Sequence, residues 1–333
     1  MGIATSFTEL VGCVIPIKMA GMGVATPALA AGVAKAGALG TVSYSYLGGP
    51  KRAISTLDEL VDNAGRGAIA VNFLMPVLDM ALLDIAAARA RVVDLFWGDP
   101  DREIVERVHE GGALASWQVG SLDEARRAAD CGVDVVVAQG TEAGGHVRGQ
   151  TPLFELLVDV LEALEGEVPV LASGGIGTGR QIAAALGAGA AGANVGTRLV
   201  VTAESGAHSD YVQALVLAKS AEDSVSTTEF SIDCPLCPST HRVLRSALEA
   251  ARAYGDEVVG TVTMRGQSQD LPLFAGVPPT PAVNGRVDAM ALYAGRGVAY
   301  CAAGQTAAEV IQELSRETER IIRRSSTRLT PSD

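Results

Sequence analysis

Apolar positions along this chain alternate between two rhythms. Short β-branched or aliphatic runs are followed by Ala-rich stretches in which apolar residues return every three to four positions, with Gly, Pro, Asp or Ser between them. The first kind predicts strands at "VIPIKMA", "LGTVSY", "AIAVNFL", "VVDLFWG", "LASWQV", "DVVVAQG", "PVLASGG" and "GANVGTR". The second predicts helices between them. "TPALAAGVAKAG" opens on Thr26 as cap with Pro27 in the first turn and closes on glycine. "SLDEARRAADCG" sets Glu124 three residues after Ser121, a capping box. "TGRQIAAALGAG" starts a further helix. Eight such units predict an α/β fold, a (β/α)8 TIM barrel. A doubly wound sheet shares the alternation and is the rival.

Beyond residue 200 the rhythm breaks. The chain divides into a barrel core over 1–221, a smaller, mostly helical part over 222–305 beside the barrel mouth, and a C-terminal amphipathic helix with a frayed tail, "TRLTPSD", over 306–333.

Composition narrows the partners. The 333 residues are 48% hydrophobic with a formal net charge of −12, a poor match to nucleic acid or anionic membranes. Five cysteines, an odd and sparse set, predict reduced thiols. The first residues show no signal-peptide pattern and no window reaches the length of a membrane span, so a cytoplasmic protein is expected. Homo-oligomeric assembly is left open.

In parallel α/β folds ligands sit at the carboxyl ends of the strands. Those ends supply Met19 to Gly23, Asn72, Gln118, Gln139, Ser173 to Gly179 and Gly196 to Arg198. The turn "SGGIGTG" leading into a helix fits a phosphate cradle, because glycine lets backbone N–H groups converge on one anion. No Gly-Lys-Ser/Thr follows, which excludes a Walker loop, and no acidic strand end follows to suit a Rossmann site. In "QGTEAGGHVRG", Gly144 and Gly145 give a wall without side chains on which a flat ring system could lie, with His146 facing it. An imidazole near its ordinary pKa handles protons at neutral pH. A turn histidine bonded to the barrel rim remains equally open on spacing alone. Cys234, Cys237 and His241 offer three ligands where a structural zinc wants four, and Cys301 could join only by folding back. A metal site and a redox pair stand as alternatives, but the two cysteines are read as ordinary loop cysteines and no metal is assigned. His109, His208 and Trp117 are read as structural.

Together "AQGTEAGGHVRG", "ASGGIGTGRQIAAALGAGAAGANVGTR", "VNFLMP" and "TPALAAGVAKAGALG" resemble the nitronate monooxygenase family, whose superfamily includes flavin-dependent enoyl-acyl-carrier-protein reductases. The resemblance implies non-covalent FMN. Met19, Ala20 and Gly21 would run under the flavin ring, with Asn72 and Gln139 as polar neighbours and Gly145 against the ring. Gln118 would stand where some relatives place a lysine. Ser173, Gly174, Gly175, Gly196 and Thr197 would hold the phosphate, and His146 would be the catalytic histidine. The reaction implied is oxidation of a small nitronate or nitroalkane with O2. Two alternatives stand beside it: an NAD(P)H-dependent FMN reductase of enoyl thioesters or quinones, and a flavin- or phosphate-binding barrel without turnover.

Overall fold

The computed structural model describes residues 2–264 and 266–326, so the expected fraying of "TRLTPSD" lies outside the described residues. After α1 (Ser6–Val11), strands β1 (Ile17–Met19), β2 (Gly40–Ser43), β3 (Ile69–Leu74), β4 (Val92–Phe96), β5 (Leu114–Val119) and β6 (Val135–Gln139) alternate with helices. These are α2 (Pro27–Lys35), α3 (Pro50–Ala64), α4 (Met80–Ala87), α5 (Arg102–Glu110), α6 (Leu122–Asp130) and α7 (Leu153–Leu164). A three-residue strand, β7 (Gly145–Val147), interrupts the connection from β6 to α7. Then come β8 (Val170–Ser173), α8 (Gly179–Gly187) and β9 (Gly192–Val195).

The eight strands other than β7 form one parallel sheet in the order β1-β9-β8-β6-β5-β4-β3-β2. A parallel bridge between Lys18 and Leu39, with Leu39 N–H donating to Ile17 at 2.9 Å, joins the two edges. The sheet is therefore a closed (β/α)8 barrel, as the eight-unit rhythm predicts.

Strand alternation sorts side chains into layers. Outward-facing Ile17, Met19, Val71, Phe73 and Val93 pack against the helices. At the barrel floor Ala70, Val92, Val135, Val137 and Leu171 form a separate apolar cluster with Phe7 and Val11 of α1, which plugs the bottom. Above that plug the interior turns polar. Lys18 Nζ meets Asp94 Oδ2 at 2.9 Å with both side chains nearly solvent-free. Asp94 also accepts from Ser116 Oγ at 2.8 Å and Asn72 Nδ2 at 3.0 Å.

The predicted caps form. Thr26 Oγ1 accepts from Leu29 N–H at 3.0 Å. Ser121 caps α6, but Glu124 reaches back to Gly120 N–H rather than to Ser121.

After β9 the chain forms α9 (Thr197–Val200) and α10 (Ser209–Leu217), then β10 (Ser224–Thr227), β11 (Thr240–Leu244), α11 (Arg245–Ala253), β12 (Val258–Met264), β13 (Gln267–Pro272) and β14 (Val283–Gly285). These strands build two antiparallel sheets, β10-β11-β7 and β13-β12-β14. The part after residue 221 thus holds strands beside its helix, more than the helical expectation allowed. One reason is β7, a free edge offered by the barrel loop, on which Thr240, His241 and Arg242 pair with Val147, His146 and Gly145.

Helix α12 (Ala307–Ser326) then returns to the barrel. Its Ala307, Val310, Ile311 and Leu314 join the barrel–helix core, and it packs between α8 and α2. It fills the place of the eighth helix.

Candidate active site

At the carboxyl ends of the barrel strands lies a cavity of about 320 Å3. Its wall brings together Ala20, Gly21, Asn72, Gln118, Gln139, Gly145, His146, Ser173, Gly174, Gly175, Gly196 and Thr197. Met19 is the exception. It is fully buried against the helices, because the alternation that turns Lys18 inward turns Met19 outward. Met22 lines the cavity instead.

The glycines play different parts. Gly145 adopts φ +73, and a Cβ there would meet nothing within 4 Å, so this backbone is open to a flat ligand. Gly144 does not provide a second open floor: a Cβ would stand 2.4 Å from Gly295 N, so this glycine serves close packing of two loops. Gly174 at φ +123 and Gly175 at φ +68 make the turn after β8, and a Cβ on Gly174 would stand 3.0 Å from Ala143 N. The amides of Gly174, Gly175 and Gly196 find no hydrogen-bond acceptor among the described residues. Ser173 Oγ accepts from Asn194 Nδ2 at 3.0 Å, and Thr197 Oγ1 accepts from Gly295 N–H at 3.0 Å. Both hydroxyls keep a proton to donate. Amides and hydroxyls on adjoining strand ends suit a single phosphate. The start of α8 does not add to them. Thr178 and Gln181 form its capping box, and Gly179 N–H donates to Glu317 Oε2 of α12 at 2.8 Å.

Gln139 spends its amide on the loop above. Its Nε2 donates to His146 O at 3.0 Å, and its Oε1 accepts from Arg148 N–H at 3.1 Å. Arg148 in turn binds Glu124 at 2.6 Å and Asp99 at 2.8 Å. The Gly-Gly-His segment is therefore anchored at its C-terminal end, at His146 and Arg148. Gln118, from β5, reaches Asn194 Nδ2 at 3.5 Å.

His146 is half-buried, between Trp97 and Tyr293 with ring centroids 5.8 and 5.5 Å away. Burial, and then the neighbouring His241, push its pKa down to about 4, well below the ordinary value expected from the sequence. The imidazole is neutral at pH 7, a proton acceptor. Across the β7–β11 register stands His241, fully buried, with neither ring nitrogen hydrogen-bonded. Burial lowers its pKa too, opposed by the backbone of Ser239.

Cys234 and Cys237 are joined as a disulfide, which corrects both the loop-cysteine reading and the expectation that all five thiols are free. Cys234 Sγ lies 3.2 Å from His146 Nε2, and Asp233 to Leu236 line the cavity. Cys301 is buried elsewhere, 3.6 Å from Thr197 O. The structural readings of three further residues hold: His109 bonds Asp134 at 2.7 Å, His208 caps α10, and Trp117 is buried with its indole N–H on Gly98 O.

Sequence reasoning missed the layer beneath the cavity, Lys18, Asp94, Ser116 and Asn194. The signal was available: Lys18 and Asp94 are charges set inside otherwise apolar strand runs.

A closed barrel with glycine turns on its last two strands and an imidazole over the same cavity defines an oxidoreductase built to hold a cofactor. The chain belongs to the nitronate monooxygenase family, which matches residues 53–317 and whose members are flavin-dependent and oxidise nitro compounds. It is 32% identical over 282 residues to the (3aS,4S,5R,7aS)-5-hydroxy-7a-methyl-1-oxo-octahydro-1H-indene-4-carboxyl-CoA dehydrogenase of Rhodococcus jostii, covering 83% of this chain and 75% of that one. It is 31% identical over 267 residues to a nitronate monooxygenase of Pseudomonas aeruginosa, covering 67% and 76%. Among solved structures, FabK from Thermotoga maritima superposes with a TM-score of 0.77 at 25% identity, covering 98% of this chain and 100% of that one. Among the described residues no helix is long and apolar enough to cross a membrane.

Proposed function

We propose that this chain is an FMN-dependent monooxygenase of small nitronates and nitroalkanes, with O2 as co-substrate. The observation that carries the reading is the convergence on one cavity of the open Gly145 backbone, His146, and the unpartnered amides of Gly174, Gly175 and Gly196. FMN, when bound, supplies the electron acceptor and the partner for O2. Gly174, Gly175 and Gly196, with the hydroxyls of Ser173 and Thr197, would hold its phosphate, and Gly145 would underlie its ring. Asn72 and Gln118 are polar groups in reach of the same wall.

His146 takes the proton at Nε2 from the carbon next to a nitro group. Its neutral form is the one that accepts, and Gln139 fixes the backbone that presents it. A nitronate arrives without that proton, so there the imidazole only orients. No Lys or Arg lines the cavity among the described residues, so a nitronate would be held there by neutral donors rather than by an ion pair. Cys234, Pro235 and Leu236 close the wall beside His146 and limit substrate size.

A second reading, oxidation of an acyl-coenzyme A thioester, is favoured by the Rhodococcus relative. One experiment separates the two. FMN-loaded protein is mixed anaerobically with an alkyl nitronate, an acyl-coenzyme A thioester or NADPH, and the flavin absorbance is followed. Bleaching by the nitronate, with recovery on admitting O2, is expected. Bleaching only by the thioester or by NADPH would sink the monooxygenase reading.

A further inference from the structure

Neither ring nitrogen of the buried His241 makes a well-formed hydrogen bond, although the side chain has no access to water; the backbone of Ser239 is near enough only to act on its charge. An orphaned imidazole at that depth is costly unless some other group binds it. The groups around it share one chemistry. Cys234, Cys237 and His241 follow one another as C-x2-C-x3-H on the loop entering β11. A fourth donor comes from far away in the chain. His146 is the register partner of His241 across the β7–β11 pair; His146 stands beside both sulfurs and His241 beside that of Cys237. His146 Nε2 lies 3.2 Å from Cys234 Sγ and 3.9 Å from Cys237 Sγ. Ligand atoms of His146, Cys237 and His241 all fall within 4.8 Å of one another. In a tetrahedral zinc site, bond lengths near 2.0–2.3 Å place neighbouring ligand atoms roughly 3.5 Å apart.

We propose that Cys234, Cys237, His146 and His241 form a redox-controlled site for a divalent cation of the zinc class. Two thiolates and two neutral imidazoles are the donor set of tetrahedral zinc, and soft thiolate ligands disfavour magnesium or calcium. Disulfide and metal are alternative occupants of the pair. A thiol reductant of the dithiol class supplies two electrons and two protons. These break the Cys234–Cys237 S–S bond into two thiols, and the reductant leaves as its own disulfide. The cation then displaces both thiol protons and bonds both sulfurs. Phe230 and Tyr293 flank His241, with ring centroids 6.3 and 5.9 Å from it, and give the site a mostly apolar shell. Cys234 and His146 line the cavity, which gives an entry path. His146 Nε2 cannot hold a metal and accept a proton at once, so the metal-bound state is catalytically silent.

The site does not rest on the flavin reading, although its silencing of turnover does, and its test needs no turnover. Full-length protein, with and without FMN, is reduced with a phosphine, freed of metal by a chelator, and titrated with Zn2+. Co2+ in a parallel titration reports the ligands by its absorption. Reduced protein is expected to bind a single Zn2+ per chain in either flavin state, to release protons as it does so, and to give a thiolate-to-cobalt charge-transfer band. Oxidised protein should bind none. Cys237→Ser, which changes little in volume, should weaken binding by at least about a hundredfold, and His241→Asn likewise. Reduced protein whose thiols both react with a thiol reagent in the presence of Zn2+ would overturn the proposal. So would uptake that survives both substitutions.

Discussion

His146 Nε2 faces both the cavity and the cysteine pair, so a substitution there tests the reaction without touching the barrel. His146→Ala should keep FMN and its spectrum, because the glycine turns lie on other strands. Turnover of a neutral nitroalkane should fall by about two to four orders of magnitude, the usual worth of a positioned base. The loss on the preformed nitronate should be smaller; equal large losses on both would assign the residue to positioning. The cysteines give a second residue-scale test. Burial pushes Cys13 and Cys301 up to about 12, whereas Cys131 is only partly covered and less strongly shifted. Alkylation of the native protein near pH 8, read by peptide mass spectrometry, should label Cys131 well before the other two. Early labelling of Cys301 would mean that the loops over the cavity open readily.

Among the elements, the two glycine turns differ in what they tolerate. A Cβ on Gly196 would make only ordinary contacts, 3.4 Å to Ala20 and 3.5 Å to Met22, whereas one on Gly174 would be strained at φ +123. Gly196→Val should therefore fold normally and lose FMN affinity by about tenfold or more, roughly 1.4 kcal/mol, in a fluorescence titration. Unchanged affinity would move the phosphate off this turn. Gly174→Val should lose stability as well, and so cannot report on the cradle alone. Strands β1 and β4 carry a further prediction. Asp94→Ala leaves the Lys18 ammonium buried without its partner and should cost about 3–5 kcal/mol in urea unfolding, while Lys18→Met combined with Asp94→Leu should cost much less. These elements also show how far the sequence could be read. Each barrel strand announces itself as an apolar run between turn residues, and the strand-end rule gathered the cavity wall from them. Met19 was misplaced because the two-residue alternation was not followed through β1. Strand β7 is three residues long, two of them Gly and His, and carries no periodicity to read. The β7–β11 register joins positions about a hundred residues apart, so the meeting of His146 with Cys234, Cys237 and His241 leaves no local trace.

At the scale of the whole molecule, α12 belongs with the barrel although it lies last in the sequence described. Its N-terminus is held by Glu204, whose carboxylate accepts from Ala307 N–H at 3.0 and 3.1 Å, and its apolar face completes the helical ring. A chain ending before Ala307 should lose its cooperative thermal transition and bind an exposed-surface dye. A sharp transition close to the parent's would show that the ring closes without this helix. Just before it, Ala203 N–H donates to Gln305 O at 3.1 Å, so the chain leaves the barrel and re-enters it at one doorway. Everything between those two residues behaves as a cassette slotted into a finished scaffold. It supplies Asp233 to Leu236 and Gly276 to Pro278 to the cavity, while the turns on β8 and β9 stay with the scaffold. Such a layout lets the substrate-facing wall be lengthened, shortened or exchanged without disturbing the floor beneath it.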